Sequence, residues 1–199
     1  MPSFSTPRFS QKAVFFDRDG TLIVEKHYLK DPNLVELEPT TIDALLLLQK
    51  HGFLLFIVTN QSGIARGYFN TYAFLSTQNR LLEILRQAGV RITDFWYCPH
   101  LENGPIPRFS ISCSCRKPKP GMLLEAISTY HLDPQLCWMI GDKFSDIEAG
   151  RLAQFPHEHC LHVQTGHGRE VFSNTPTFST LLDSATHIIS CDSPSLQTP

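Results

Sequence analysis

Short apolar runs that each end in a polar cluster recur along this sequence, and they restrict the folds open to it. Val14-Phe15-Phe16 leads into Asp17-Arg18-Asp19-Gly20-Thr21, and Leu54-Leu55-Phe56-Ile57-Val58 leads into Thr59-Asn60-Gln61-Ser62. Cys137-Trp138-Met139-Ile140 leads into Gly141-Asp142-Lys143, and Phe95-Trp96-Tyr97 is a further run of the same kind. Runs this short and this apolar suit strands buried on both faces. Stretches of helical spacing lie between them, at 40–49, 71–88, 121–130 and 145–152; the first two stop at Gly52 and Gly89. Leu161-His162-Val163 and Ile188-Ile189 are expected as edge strands. Strand alternating with helix predicts an α/β fold: a Rossmann-like doubly wound parallel sheet covered on both faces. Ligands of such sheets bind beyond the carboxyl ends of the strands, so the three polar clusters are expected to share one rim.

Length and charge narrow the function classes. At 199 residues the chain is expected to form one domain with a sizeable core, here placed at 13–190. Residues 1–12 are then an N-terminal extension and 191–199 a C-terminal tail. Net charge is −2 without a long run of either sign, which argues against nucleic-acid and membrane partners. No apolar stretch approaches the roughly 18–20 residues that span a bilayer. The first twelve residues lack the apolar run of a secretory signal, so a cytoplasmic protein is expected.

Asp17 and Asp19 stand directly after a buried strand and carry the strongest chemical signal. A carboxylate attacks phosphorus once a divalent cation screens its repulsion from the phosphate. Asp17 is the expected nucleophile, and Asp19 the group that protonates the leaving oxygen and deprotonates water. Gly20 permits the turn between them. Asp-x-Asp alone is more often a solvated turn; Asp-x-Asp-Gly-Thr behind Val-Phe-Phe is not. Thr59 and Asn60 can hold phosphate oxygens, or can simply cap the next element. Lys117 offers a compact positive charge and Arg116 a planar fork for a second phosphate or a sugar oxygen; a solvated basic loop is the bland alternative. Asp142, with Asp17 and the Asp19 carbonyl, suits Mg²⁺, although alone it reads as a helix cap. Asp146 is expected to support the loop.

Six cysteines raise the question of disulfides against metal. Cys98-Pro99-His100, twelve intervening residues and Cys113-Ser114-Cys115 supply three thiolates and one imidazole. That set matches a closed, tetrahedral, structural Zn²⁺ site within a small inserted loop at 98–117. Cys137, Cys160 and Cys191 have no partner pattern and read as core or surface thiols. His157, His159, His162 and His167 fit no zinc spacing and read as a loop with scattered histidines.

These motifs resemble the haloacid dehalogenase superfamily, whose four motifs stand in order here: Asp17-Arg18-Asp19-Gly20-Thr21, Val58-Thr59-Asn60, Lys117-Pro118, and Gly141-Asp142-Lys143 with Asp146. Within it, the chain is most similar to the D-glycero-D-manno-heptose-1,7-bisphosphate 7-phosphatases. The stretch from Thr59 through Gly67, Cys98-Pro99-His100, Cys113-Ser114-Cys115-Arg116-Lys117-Pro118, Pro120-Gly121-Met122-Leu123-Leu124 and Gln164-Thr165-Gly166 carry that likeness. It runs from Val14 to Gly166, about three quarters of the chain. The resemblance implies a haloacid dehalogenase-like fold and a monomeric Mg²⁺-dependent sugar-bisphosphate phosphatase on the route to lipopolysaccharide core. It implies catalytic Asp17, Asp19, Thr59, Arg116 and Lys117; Mg²⁺ ligands Asp17, Asp19 and Asp142; and Zn²⁺ ligands Cys98, His100, Cys113 and Cys115. It places Glu25, Lys26, His27, Tyr28, Asn60, Gln61, Ser62 and Lys143 on substrate-contacting segments. Phe155-Pro156-His157-Glu158-His159-Cys160 replaces the family's usual Gly-rich stretch. Histidinol-phosphate phosphatase is the nearest alternative, disfavoured because its members resemble Asn-Gln-Asp-Gly where this chain has Asn60-Gln61-Ser62-Gly63. A non-catalytic, zinc-stabilised binding module is the alternative of another class.

Overall fold

The computed structural model describes residues 11–166 and 174–192. Six strands, β1 (Ala13–Phe16), β2 (Leu54–Asn60), β3 (Asp94–Cys98), β4 (Cys137–Gly141), β5 (Cys160–Val163) and β6 (Thr177–Phe178), form one sheet in the order β3-β2-β1-β4-β5-β6. Every pairing is parallel. Helices α1 (Thr41–Lys50), α2 (Thr71–Gln87), α3 (Gly121–Tyr130), α4 (Phe144–Leu152) and α5 (Leu181–Asp192) cover its two faces. The expected doubly wound sheet is present.

Alternation of side chains along each strand builds the two layers. Val14 and Phe16 of β1 join Leu55, Ile57, Trp138 and Ile140 in a core with Leu45 and Leu48 of α1, Leu81 and Leu85 of α2, and Leu181, Ala185 and Ile188 of α5. Ala13, Phe15, Phe56, Val58 and Met139 point the other way, onto Met122, Leu123 and Ala126 of α3 and Ile147 and Ala149 of α4. Phe15 stacks on Phe56 with ring centroids 5.0 Å apart. Each such fully buried aliphatic or aromatic side chain contributes about 1.5–3 kcal/mol. Gly150 lets α4 lie close on the sheet, since a Cβ there would sit 2.7 Å from Cys160 Sγ.

Register positions the chemistry. Phe16 lies opposite Ile57 on one side and Ile140 on the other. The Asp17 N–H donates to the Ile140 carbonyl at 2.9 Å. The chain winds outward from β1 through β2 to β3 and then crosses to β4, so the order reverses between β1 and β4. A crevice opens at such a reversal, beyond the carboxyl ends of the strands.

Two expectations are corrected. Ile188 and Ile189 belong to α5, not to an edge strand. Leu181, Ser184, Ala185 and Ile188 are buried at helical spacing, and Thr180 caps the helix by accepting the Asp183 N–H at 3.1 Å while its hydroxyl donates to the Asp183 carboxylate. β5 is not an edge strand either, because β6 pairs outside it. Helix α5 runs to Asp192. The remaining elements begin and end within two residues of their expected bounds. Residues 1–10, 193–199 and His167 lie outside the described residues. Of the other histidines in that group, His159 stacks on Trp138 at 3.7 Å and His162 is buried within β5.

Candidate active site

A cavity of about 350 Å³ opens at the rim that register predicts, and Asp17, Arg18, Asp19, Thr59, Gln61, Arg116, Lys117, Lys143 and Asp146 line it. Glu25, His27, Tyr28, Leu29, Asn60, Ser62, Gly63 and Ser145 line it too. Of the residues expected to contact substrate, Lys26 does not line it: its ammonium pairs with Glu36 at 2.7 Å. His27 and Tyr28 hold φ of 44° and 63°, a left-handed turn in which the Glu25 carboxylate accepts the His27 N–H at 2.9 Å. Tyr28 packs edge-on against Tyr68 with centroids 4.6 Å apart.

Asp17 is buried at the end of β1 and faces Lys117. The Lys117 ammonium donates to Asp17 Oδ1 at 2.7 Å, to the Val58 carbonyl at 2.6 Å, and pairs with Asp146 Oδ1 at 2.7 Å. Its three donors thus all meet protein oxygens. Burial alone would push the Lys117 amine down, but the Asp146 and Asp17 carboxylates outweigh it and hold it above its ordinary value. Asp146 bridges further, accepting the Lys143 N–H on Oδ2 at 3.0 Å. Lys143 lies 3.6 Å from Glu25 and 3.7 Å from Asp142.

Asp19 is held mainly by its neighbour Arg18. Arg18 grips both of its carboxylate oxygens, Nε at 3.0 Å and Nη2 at 2.7 Å. Gln61 Nε2 adds a bond at 2.8 Å and also donates to Thr59 Oγ1 at 2.9 Å. Burial opposes the charge on Asp19, but Arg18 and Gln61 more than offset it and hold the carboxyl below its usual range. Gly20 has φ of +86°, and a Cβ there would fall 2.6 Å from Asp142 Oδ2. Thr165, in the loop after β5, secures this turn by donating to the Gly20 carbonyl at 2.6 Å.

Sequence reasoning missed Arg18, which reads as a spacer between two aspartates until its buried fork is seen. It also missed the bond between Asn60 and the Lys117 peptide. The Asn60 side chain, on the cavity lining, donates to the Lys117 carbonyl and accepts the Lys117 N–H, both at 3.0 Å.

Two clusters have the donors and spacing of metal sites. Carboxylate oxygens of Asp17, Asp142 and Asp146 lie within 4.8 Å of one another. Three buried carboxylates on one rim are an all-oxygen set of the kind a hard divalent cation takes. Ligand atoms of Cys98, His100, Cys113 and Cys115 also gather within 4.8 Å. The sulfur–sulfur distances are 3.1, 3.3 and 3.6 Å, and His100 Nδ1 lies 3.4 Å from Cys115 Sγ, so no disulfide joins these residues. A tetrahedron of ligands about 2.3 Å from a central zinc has edges of about 3.8 Å, close to this arrangement. Arg116 follows at once, its Nη1 donating to the His100 carbonyl at 3.3 Å.

A carboxylate pair at a parallel-sheet switch point, a buried lysine on the first carboxylate and two further carboxylates just past the adjoining strand define a phosphate-ester hydrolase of the haloacid dehalogenase class. A family model described as HAD-hydrolase-like matches residues 114–177. The D-glycero-beta-D-manno-heptose-1,7-bisphosphate 7-phosphatase of Pasteurella multocida is 42% identical over 78% of this chain and 83% of its own length. A D-glycero-alpha-D-manno-heptose-1,7-bisphosphate 7-phosphatase of Photorhabdus laumondii is 38% identical over 78% of this chain and 84% of its own. The crystal structure of the D,D-heptose 1,7-bisphosphate phosphatase from B. bronchiseptica, complexed with magnesium and phosphate, superposes with a TM-score of 0.79. It is 27% identical and covers 90% of this chain and 99% of that one. This chain belongs to the D-glycero-D-manno-heptose-1,7-bisphosphate 7-phosphatase family. Among the described residues, no helix is long and apolar enough to cross a membrane.

Proposed function

We propose that this chain removes the 7-phosphate of D-glycero-D-manno-heptose 1,7-bisphosphate through an aspartyl-phosphate on Asp17. One observation carries the chemistry: Asp17 is a buried carboxylate at the carboxyl end of a central strand, 2.7 Å from Lys117 and open to the cavity. Support for the substrate comes from the relatives, and a cavity of about 350 Å³ suits a small sugar phosphate.

In the first half-reaction an Asp17 oxygen forms a bond to phosphorus as the bond to the sugar oxygen breaks, and Asp19 gives that oxygen a proton. In the second, water attacks phosphorus, Asp19 takes its proton, and the Asp17–phosphorus bond breaks to release inorganic phosphate. Thr59 and Lys117 steady the phosphoryl end. Arg116 presents its fork to the second phosphate, and Glu25, His27, Tyr28, Ser62 and Lys143 surround the sugar; Asn60 and Gln61 brace Lys117 and Asp19. Asp17, Asp142 and the Asp19 carbonyl would hold Mg²⁺, with Asp146 beside them. Bound there, the ion supplies charge neutralisation on the phosphate. Cys98, His100, Cys113 and Cys115 would hold Zn²⁺, a closed site with a structural role. By likeness to its family we read the chain as a cytoplasmic monomer. The product, a heptose 1-phosphate, is ready for nucleotide activation on the route to lipopolysaccharide core.

Assaying both anomers of the heptose bisphosphate and histidinol phosphate with Mg²⁺ tests this reading. Release of one phosphate per heptose bisphosphate, with the 1-phosphate retained, is expected. Faster turnover of histidinol phosphate would overturn the substrate, and no phosphate from any ester would overturn the enzyme reading in favour of a binding module.

A further inference from the structure

Arg18 is among the largest fully buried side chains of the protein, with only 1% of its surface exposed. All three guanidinium nitrogens are committed. Nε and Nη2 grip the two oxygens of Asp19, and Nη1 donates to Thr77 Oγ1 of α2 at 3.3 Å. The guanidinium carbon lies 5.1 Å from the Phe74 ring centroid, which flanks the group from the same helix. Thr77 is itself fixed, donating to the Phe74 carbonyl at 2.8 Å. A solvated turn between two aspartates needs none of this, and burying a cation carries a large desolvation cost unless it is paired. The pairing found here is a planar fork on both oxygens of one carboxylate, which fixes the carboxylate's rotation as well as its position.

We propose that Arg18 is a positioning residue that orients Asp19 for the hydrolysis of phosphorylated Asp17. The inference rests on the reading of Asp19 as the proton-transfer group. The two half-reactions depend on that group unequally. A leaving group that is stable as an anion departs without a proton, so the first half can run with Asp19 misplaced. Water attacking the aspartyl-phosphate must always lose a proton, so the second half cannot. Arg18 transmits the fixed geometry of α2, through Phe74 and Thr77, to the oxygen that receives that proton.

Rapid mixing of Mg²⁺-loaded enzyme with p-nitrophenyl phosphate separates the halves, because nitrophenolate reports the first directly. Arg18→Lys keeps the charge and loses the fork. It is expected to release about one equivalent of nitrophenolate at nearly the parental rate, then turn over about 100-fold more slowly than the parent, the scale of a misplaced proton-transfer group. Thr77→Val, which removes only the Nη1 acceptor, is expected to slow the second phase in the same way but less, and it carries the test if Arg18→Lys does not fold. Equal slowing of both phases in these variants would make Arg18 a strut between β1 and α2 and overturn the proposal, as would parental kinetics. Asp19→Asn is the reference: a slow second phase there with none in Arg18→Lys overturns the Arg18 role alone. Parental turnover by Asp19→Asn removes the reading of Asp19 and this proposal with it.

Discussion

The side-chain amide of Asn60 and the peptide of Lys117 hydrogen-bond each other reciprocally, at 3.0 Å in both directions, across 57 residues of sequence. β2 thereby holds the backbone from which the buried lysine reaches Asp17. Asn60→Ala leaves both peptide groups without protein partners in a half-buried place, a loss of about 1–3 kcal/mol. Turnover is expected to fall about tenfold as Lys117 loosens, the scale of 1.4 kcal/mol in a barrier. Asn60→Asp, which can accept the N–H but cannot donate, is expected to recover only part of it. Thermal melting and kcat measured on the same preparations check this; a variant with parental values of both removes the brace.

How much of this was legible in the sequence depended on whether a residue's neighbours in the chain are its neighbours in space. Val14-Phe15-Phe16 declared β1 because both faces of a central strand are buried, and Asp17 followed from its place at the end. The zinc-like cluster was legible from donor type and spacing alone. Ile188-Ile189 misled because a β-branched pair favours a strand, while the deciding cap at Thr180 and the stripe from Leu181 lay upstream. Arg18 could not be read, because its partners Phe74 and Thr77 come from α2, 56 and 59 residues further along the chain, and only the fold brings them together. The bracing role of Asn60 was not legible for the same reason: its partner, the Lys117 peptide, is 57 residues away in the chain.

Asp17→Asn keeps the shape and an acceptor for Lys117 but removes the attacking charge. Turnover is expected to fall by several orders of magnitude, as for other covalent nucleophiles, while far-UV circular dichroism stays parental. Turnover within tenfold of the parent, on the same preparation, would sink the mechanism.

His159 stacks on Trp138 and its Nδ1 lies 3.2 Å from the Cys137 carbonyl. Burial, the largest influence, pushes its imidazole below the ordinary value of 6.5. The folded protein therefore binds this proton less readily than the unfolded chain does. The stability it contributes is present above about pH 6.5, the unfolded value, and is lost as pH falls through the lower folded value. Urea denaturation midpoints measured between neutral and mildly acidic pH are expected to decline more steeply for the parent than for His159→Phe, which keeps an aromatic ring on Trp138. Equal slopes would show that His159 does not titrate between the two states.

The loop at 98–117 is built around Cys98, His100, Cys113 and Cys115, whose ligand atoms converge with no disulfide among them. Three thiolates gathered this closely would repel one another, and a bound zinc ion would offset that repulsion. Zinc with four protein ligands has no position left for substrate, and its effect passes along the chain instead. Cys115 precedes Arg116 directly, and Arg116 bonds the His100 carbonyl, so the cluster sets where the guanidinium meets the cavity. Cys113→Ser is expected to lose zinc, to raise amide hydrogen exchange across residues 98–117, and to raise KM for the bisphosphate more than it lowers kcat. Mg²⁺ binding at Asp17 and Asp142 is expected to persist, because β1 and β4 hold those carboxylates independently of the loop. Metal analysis of the parent is expected to find about one zinc per chain. An active parent without zinc, or a Cys113→Ser protein with parental exchange and KM, would show that the loop is ordered by its own packing.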